Sequence, residues 1–367
     1  MFLKCLGFSS SKHINSDSPS SDAAMTLHVR LSKRPYQTVI EELCHQFSLA
    51  DLKKATNNFD KNQVIRSKGF SVEYKGCFQH DVGVTGTVAV KRMHQGTGQG
   101  LREFMNEIEL LCQLRHPNLI TLIGFCNHRD EKILVYEYMS NGSLYDHLHN
   151  IHMEPLSWKK RLEVCIGAAC GLHYLHTGTK RTILHCHIDS NSILLDNNMV
   201  SKISSFGLAL QGPHFTSKPK PIPDDEFTSF IGTYGYTAPE VLQNMTFTDK
   251  SDVWSFGTVL LEVVCTDNTL IWTGYPIEQS IDPKIKGHIA PACWEVFMDI
   301  TKRCLKWEPD ERPAMGEVEL QLEGALSLQE EADSKKNNGD YYHLLTTTTI
   351  TNSLQEETSI SCASNEF

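Results

Sequence analysis

A helix that is apolar on every face has no side to offer water. Val253-Trp254-Ser255-Phe256-Gly257-Thr258-Val259-Leu260-Leu261-Glu262-Val263-Val264, opened by Asp249-Lys250-Ser251-Asp252, is such a run, and it belongs in the middle of a core. Only a large domain can surround it. The 367 residues suffice for one two-lobed domain or two smaller ones, with room for extensions.

Periodicity divides the rest. Gln46–Phe59 reads as a short helix with Ser48 as N-cap and Asp51 three residues on. Residues 62–92 alternate and carry β-branched runs, which predicts three strands, the last Thr87–Lys91. Thr97–Gly100 reads as a Gly-rich turn. Phe104, Ile108, Leu111 and Cys112 then recur at helical spacing, predicting a helix over Leu101–Leu114. Leu119–Cys126 and Lys132–Tyr138 read as two further strands. The second half is mainly helical, with Trp158–Leu175, Trp294–Leu305 and Met315–Leu328 as further helices. Residues 1–46 and 328–367 are expected to be disordered, because Ser, Asp, Lys, Glu and Thr dominate there without apolar periodicity.

A net charge of -10 argues against nucleic acid as the main partner. The twelve cysteines include no C-x-x-C pair and read as reduced residues of a cytosolic protein. No apolar run reaches the ~18 residues of a membrane span. Cys5, among Phe2, Leu3, Leu6 and Phe8, is a candidate for S-acylation. The expectation is a cytoplasmic protein, held at the inner face of the plasma membrane if Cys5 carries lipid.

Six motifs stand in a fixed order: V-A-V-K at 88–91, Glu107, Tyr136-Glu137-Tyr138-Met139, A-P-E at 238–240, K-S-D-V-W-S-F-G at 250–257, and a closing stretch from Cys304 to Pro313. Together with F-S-x-x-x-L-x-x-A-T-x-x-F before them, they resemble the plant receptor-like kinase family over roughly residues 47–327. L-R-H-P-N-L-I-T-L-I-G-F-C is similar to the FERONIA-type malectin receptor kinases. The resemblance implies an α+β, two-lobed protein kinase fold: a five-stranded antiparallel small lobe with one helix (47–138) and a mainly helical large lobe (139–327). It also implies a receptor-like cytoplasmic form whose partners are other receptor-like kinases or signalling proteins.

Set against that family, several positions depart. The catalytic loop H-R-D-x-x-x-x-N reads His185-Cys186-His187-Ile188-Asp189-Ser190-Asn191-Ser192. His187 stands at the base Asp and Ser192 at the metal-binding Asn. Asp189 stands at the Lys that meets the γ-phosphate, and Cys186 at the Arg that receives activation-loop phosphate. D-F-G reads Ser205-Phe206-Gly207. A serine hydroxyl is a poor partner for Mg²⁺, which takes carboxylate oxygen. His187 can accept a proton at neutral pH. The glycine-rich loop has lost its three glycines at Arg66, Lys68 and Ser71. Glu73 falls where the family places a valine over adenine, unless a bulge brings Val72 there. Arg66 and Lys68 read as solvated filler on a hairpin tip.

Kept are Lys91 and Glu107, the family's phosphate-holding pair, with Ala89, Glu137 and Met139 around the adenine. His185 and Phe206 are kept in the apolar spine with Leu111 and Leu122. Asp252 is kept to bind the loop backbone, and Glu240 to pair with Arg312. A metal site at His185-Cys186-His187 is disfavoured because adjacent residues rarely converge on one ion. Thr228, Ser229, Thr233 and Thr237 are candidate targets for another kinase.

A general base contributes on the order of 10²–10⁴ in rate. Loss of a base, two metal ligands and a Lys therefore removes roughly 10⁶ or more. The expectation is a non-enzyme: a pseudokinase acting as a docking or regulatory module, with ATP weak at most and Mg²⁺ absent. Two alternatives stay open, an active Ser/Thr protein kinase and a nucleotide sensor without transfer.

Overall fold

A computed structural model describes residues 44–79, 85–96, 98–150, 152–212, 233, 235–265, 277–335 and 342. Cys5, Thr228 and Ser229 lie outside the described residues.

The small lobe is built on strands β1 (His45–Gln46), β2 (Val64–Lys68), β3 (Ser71–Gln79), β4 (Thr85–Met93), β5 (Leu122–His128) and β6 (Glu131–Glu137), in the order β1-β5-β6-β4-β3-β2. Five strands are antiparallel as expected. The sixth, β1, is an addition that runs parallel to β5, with His45 opposite Gly124 and Gln46 opposite Phe125. The strand falls within the stretch read as an extension, and Cys44 beside it is buried. Gly124 makes the pairing possible: a Cβ there would sit 2.2 Å from the His45 carbonyl and 2.7 Å from the Phe47 ring. A strand two residues long carries no periodicity to read.

The sheet is covered on both faces. Helix α1 (Leu49–Ala55) starts at Ser48, whose Oγ accepts the Asp51 N–H, and buries Leu52. Leu52 joins Tyr74, Val88, Val90, Ile133 and Val135 in one cluster. On the opposite face lies α2 (Gly98–Leu111), which buries Phe104, Glu107, Ile108 and Leu111. The helix thus begins inside the stretch read as a Gly-rich turn. Glycine is a poor helix interior residue but is tolerated at an N-terminus, where fewer neighbours fix the backbone.

The large lobe centres on α6 (Asp249–Cys265), buried from Ser251 onward except Ser255. Helices α4 (Trp158–His173) and α7 (Pro291–Cys304) pack on it, α8 (Met315–Lys335) packs on both of them, and α3 (Leu144–His149) and α5 (Pro239–Asn244) are shorter. Short hairpins β8 (Ile193–Leu195) with β9 (Ser201–Ile203), and β7 (Ile183–Leu184) with β10 (Leu210–Gln211), line the side facing the small lobe. Helix α8 runs past the expected end of order. Gln329 explains why: its Oε1 accepts the Ala290 N–H at 2.8 Å and its Nε2 donates to His288 O at 3.0 Å. A polar residue there anchors α8 against the start of α7, which composition alone does not reveal.

Candidate active site

Between the lobes lies a cavity of about 70 Å³ that opens to solvent. Its roof comes from β3 and β4, its back from α2 and β6, and its floor from β8 and the turn after β9.

Lys91 on β4 reaches Glu107 on α2, with Nζ 2.6 Å from Oε1. Burial opposes the ammonium charge, but Glu107, Glu73 and Glu103 together outweigh it and hold the Lys91 pKa above its ordinary value. Tyr136 donates its hydroxyl to the other Glu107 oxygen. Burial, then Glu107, push the Tyr136 phenol well above its usual range, so it remains a donor. Glu73 pairs in register with Lys91 across β3 and β4, and lines the cavity. Val72 packs on the other face of the sheet, so no bulge exchanges the two. Glu73 thus adds to the negative charge that favours the Lys91 ammonium.

One end of the cavity is formed by Ala89 and the segment Tyr136–Met139. The Glu137 side chain points to structural partners: it accepts the Thr121 N–H at 2.8 Å and lies 3.2 Å from Lys202 Nζ. Met139 O accepts from Gly142 N.

Asp252 shapes the loop beneath. Its Oδ2 accepts the His185 N–H at 2.7 Å and its Oδ1 the Cys186 N–H at 2.8 Å. His176 donates to Oδ2 as well, at 2.9 Å. These bonds hold Cys186 in the left-handed region at φ 62. Burial pushes the His185 pKa down to about 4, against the pull of Asp252. The neutral ring donates from Nε2 to Ser204 O at 2.8 Å and meets Phe206 edge-on at 5.0 Å. Leu111, Leu122 and Phe206 share one buried cluster, joining the lobes.

At the loop turn, three groups come together. Thr233 Oγ1 donates to Asp189 Oδ2 at 2.9 Å, and His187 Nε2 lies 3.2 Å from the same hydroxyl and 4.0 Å from Asp189 Oδ2. Asp189 is buried, whereas a quarter of the His187 side chain is exposed. Ser192 faces inward: its hydroxyl donates to Asp189 O at 2.7 Å and accepts the Asp189 N–H at 3.0 Å. Ser205 takes a left-handed conformation (φ 69) and opens the turn Phe206–Leu208. Asn106 of α2 was not singled out from sequence, yet its amide donates to the carbonyls of Phe206, Gly207 and Ala209 at 3.1, 3.0 and 2.7 Å. It pins the turn to the helix that carries Glu107. One polar residue on an exposed-looking helix face gives no signal of this in sequence.

Farther down, Arg312 grips Glu240 with two bonds of 2.8 Å, donates to the carbonyls of Lys306, Trp307 and Lys250, and stacks on Trp254. That clasp fixes the segment after Thr233 to α6. Mg²⁺ does not fit the two family positions. Ser192 Oγ is committed to its own turn and Ser205 offers one neutral hydroxyl, so neither gives the carboxylate that a hard cation takes.

A twisted sheet over a helical lobe, with a lysine–glutamate pair in the cleft and a loop held from the central helix, defines a protein kinase fold. A family model for protein tyrosine and serine/threonine kinases matches residues 59–322. The chain belongs to that family. It is similar to receptor-like protein kinases of Arabidopsis thaliana: 43% identical to ANXUR2 over 309 residues, 79% of this chain and 35% of that one. To FERONIA it is 42% identical over 310 residues, covering 79% and 33%, and to THESEUS 1 40% over 301, covering 77% and 34%. It spans about a third of the length of these relatives. No helix among the described residues is long and apolar enough to cross a membrane.

The expectation of a non-enzyme is thereby corrected. The matched family is one of kinases, and the relatives are named receptor-like protein kinases. Losses at single positions multiply only where nothing replaces the missing groups. Here the Lys91–Glu107 pair is formed, and a carboxylate and an imidazole meet at the loop.

Proposed function

We propose that the chain is a Ser/Thr protein kinase that transfers the γ-phosphoryl group of ATP to hydroxyl side chains of signalling proteins. The observation that carries this reading is the buried Lys91–Glu107 pair at the head of the interlobe cavity. In phosphoryl transfer the protein contributes positioning and charge neutralisation rather than covalent chemistry, and a lysine held by a buried glutamate supports that reading.

The acceptor hydroxyl oxygen forms a bond to the γ-phosphorus, and the bond from that phosphorus to the β–γ bridging oxygen breaks, releasing ADP. The hydroxyl proton passes to the imidazole of His187. Asp189, 4.0 Å away and bridged by Thr233, stabilises the imidazolium so formed. The arrangement shares the logic of any imidazole backed by a carboxylate, in which the buried acid orients the ring and holds the developing charge. Protein partners are supported in general terms by the receptor-like kinase relatives.

Radiolabel transfer from γ-labelled ATP to a mixed Ser/Thr peptide substrate tests the reading. Wild type is expected to label it, and Lys91→Met to abolish the signal. Equal labelling by both would show the signal to be a contaminant and sink the proposal. Labelling that survives His187→Ala unchanged would remove His187 as the proton acceptor while leaving the transfer itself.

A further inference from the structure

A polyphosphate in this cavity would meet little free positive charge. Among the described residues lining it, Arg66 and Lys91 are cationic, against Glu73, Glu107 and Glu137. Lys91 divides its charge among Glu107, Glu73 and Glu103. Glu137 is offset from outside by Lys202. The serines at 192 and 205 add no carboxylate with which to recruit a metal. The counter-charge has to come from another group.

Arg66, read from sequence as filler, is placed to supply it. It stands on β2 at the first position of the former glycine-rich loop. Its Nη1 donates to the carbonyl of Asn191 at 3.2 Å, and its Nη2 lies 3.8 Å from Asp146 Oδ2. The guanidinium thus spans the mouth of the cavity from one lobe to the other. Both contacts are weak ones: a single bond to a neutral carbonyl, and a long ion pair to a side chain that is 37% exposed. Asp146 has its own role without Arg66, since it accepts the Ser143 N–H at 2.9 Å and the Ser143 hydroxyl at 2.7 Å in the cap of α3. A phosphate group offers the planar guanidinium two parallel charge-assisted bonds, a better partner than either.

We propose that Arg66 binds the polyphosphate of a nucleoside triphosphate in the interlobe cavity and takes over the neutralisation that a divalent cation would provide, so that the nucleotide binds without metal. This rests on the reading of the cavity as a nucleotide site. Arg66 leaves Asn191 and Asp146 as the nucleotide enters, and closes on the phosphates from the small-lobe side. Lys91, tied to α2, holds the opposite side.

The test is calorimetric titration of ATP into the full chain, with excess EDTA and again with magnesium, for wild type, Arg66→Gln and Ser205→Asp. Circular dichroism melting confirms that each variant folds. Wild-type Kd is expected to agree within about threefold between the two conditions, and Arg66→Gln to weaken binding in EDTA by at least about tenfold. Ser205→Asp, which adds a carboxylate beside the phosphates, is expected to weaken binding in EDTA and recover it in magnesium. Wild-type binding seen only with magnesium, or Arg66→Gln binding as well as wild type in EDTA, overturns the proposal and leaves the nucleotide reading standing. Absence of binding in both conditions removes the two together.

Discussion

Tyr136 donates its hydroxyl to Oε2 of Glu107, the oxygen opposite the one that Lys91 holds at 2.6 Å. A strand residue, a helix residue and a second strand residue therefore meet on one buried carboxylate. The position of α2 against the sheet depends on that meeting, and the Lys91 ammonium is aimed by it.

Unequal costs follow for the three partners. Tyr136→Phe removes one hydrogen bond and should cost about 1–2 kcal/mol in urea denaturation. Glu107→Ala leaves Lys91 buried without its main partner and should cost roughly 3–5 kcal/mol. If Glu107→Ala proves no more harmful than Tyr136→Phe, the carboxylate is not what ties helix to sheet.

Arg312 presents a second buried ion pair, and its geometry separates charge from shape. The guanidinium makes two bonds to Glu240, reaches three carbonyls and lies 5.0 Å from the Trp254 ring centroid. A lysine keeps the charge and loses the planar fork. Arg312→Lys should therefore lose most of what Arg312→Ala loses, roughly 3–5 kcal/mol. Differential scanning calorimetry of both variants decides it. Near-wild-type melting of the lysine variant would mean that charge alone holds the clasp.

His185 gives the fold a dependence on pH. Its folded pKa, about 4, lies below the ordinary histidine value of 6.5, chiefly through burial. Between these values the unfolded chain binds a proton that the folded chain refuses. The native state is thus penalised as pH falls through that window, and unpenalised above it. A shift of this size corresponds to roughly 3 kcal/mol at most. His185→Gln keeps a donor for the Ser204 carbonyl and cannot titrate. Its stability, followed by denaturant melts from pH 7.5 to pH 4, should fall less steeply than that of wild type. Parallel curves would assign the acid sensitivity elsewhere.

Much of the fold could be read from residues whose burial follows a period. The α6 run is apolar all round and lies at the centre, and the strands of residues 62–92 fall where alternation put them. What escaped was set by contacts between distant residues. Strand β1 exists because Gly124 leaves room for the His45 carbonyl, and the end of α8 holds because Gln329 meets Ala290 and His288. Neither partner announces the other in sequence.

The site divides the same way. Lys91, Glu107, His185, Phe206, Asp252, Glu240 and Arg312 could be picked out because each sits in a motif. The contribution of Asp189 could not be weighed, since its distance from His187 depends on how the loop turns over Ser192. Asn106 and Arg66 act across about 100 and 125 residues of sequence through main-chain carbonyls. A carbonyl carries no residue identity, so such partners are invisible until the chain is folded.

The central claim is that the Lys91–Glu107 pair serves phosphoryl transfer rather than packing alone. Intact-mass spectrometry of phosphatase-treated protein, incubated with ATP and a Ser/Thr substrate protein, reads this most directly. Wild type should add phosphate mass to the substrate with time, and Lys91→Met of equal melting temperature should add none. A wild-type substrate whose mass never changes, although ATP binds the enzyme, would contradict the account.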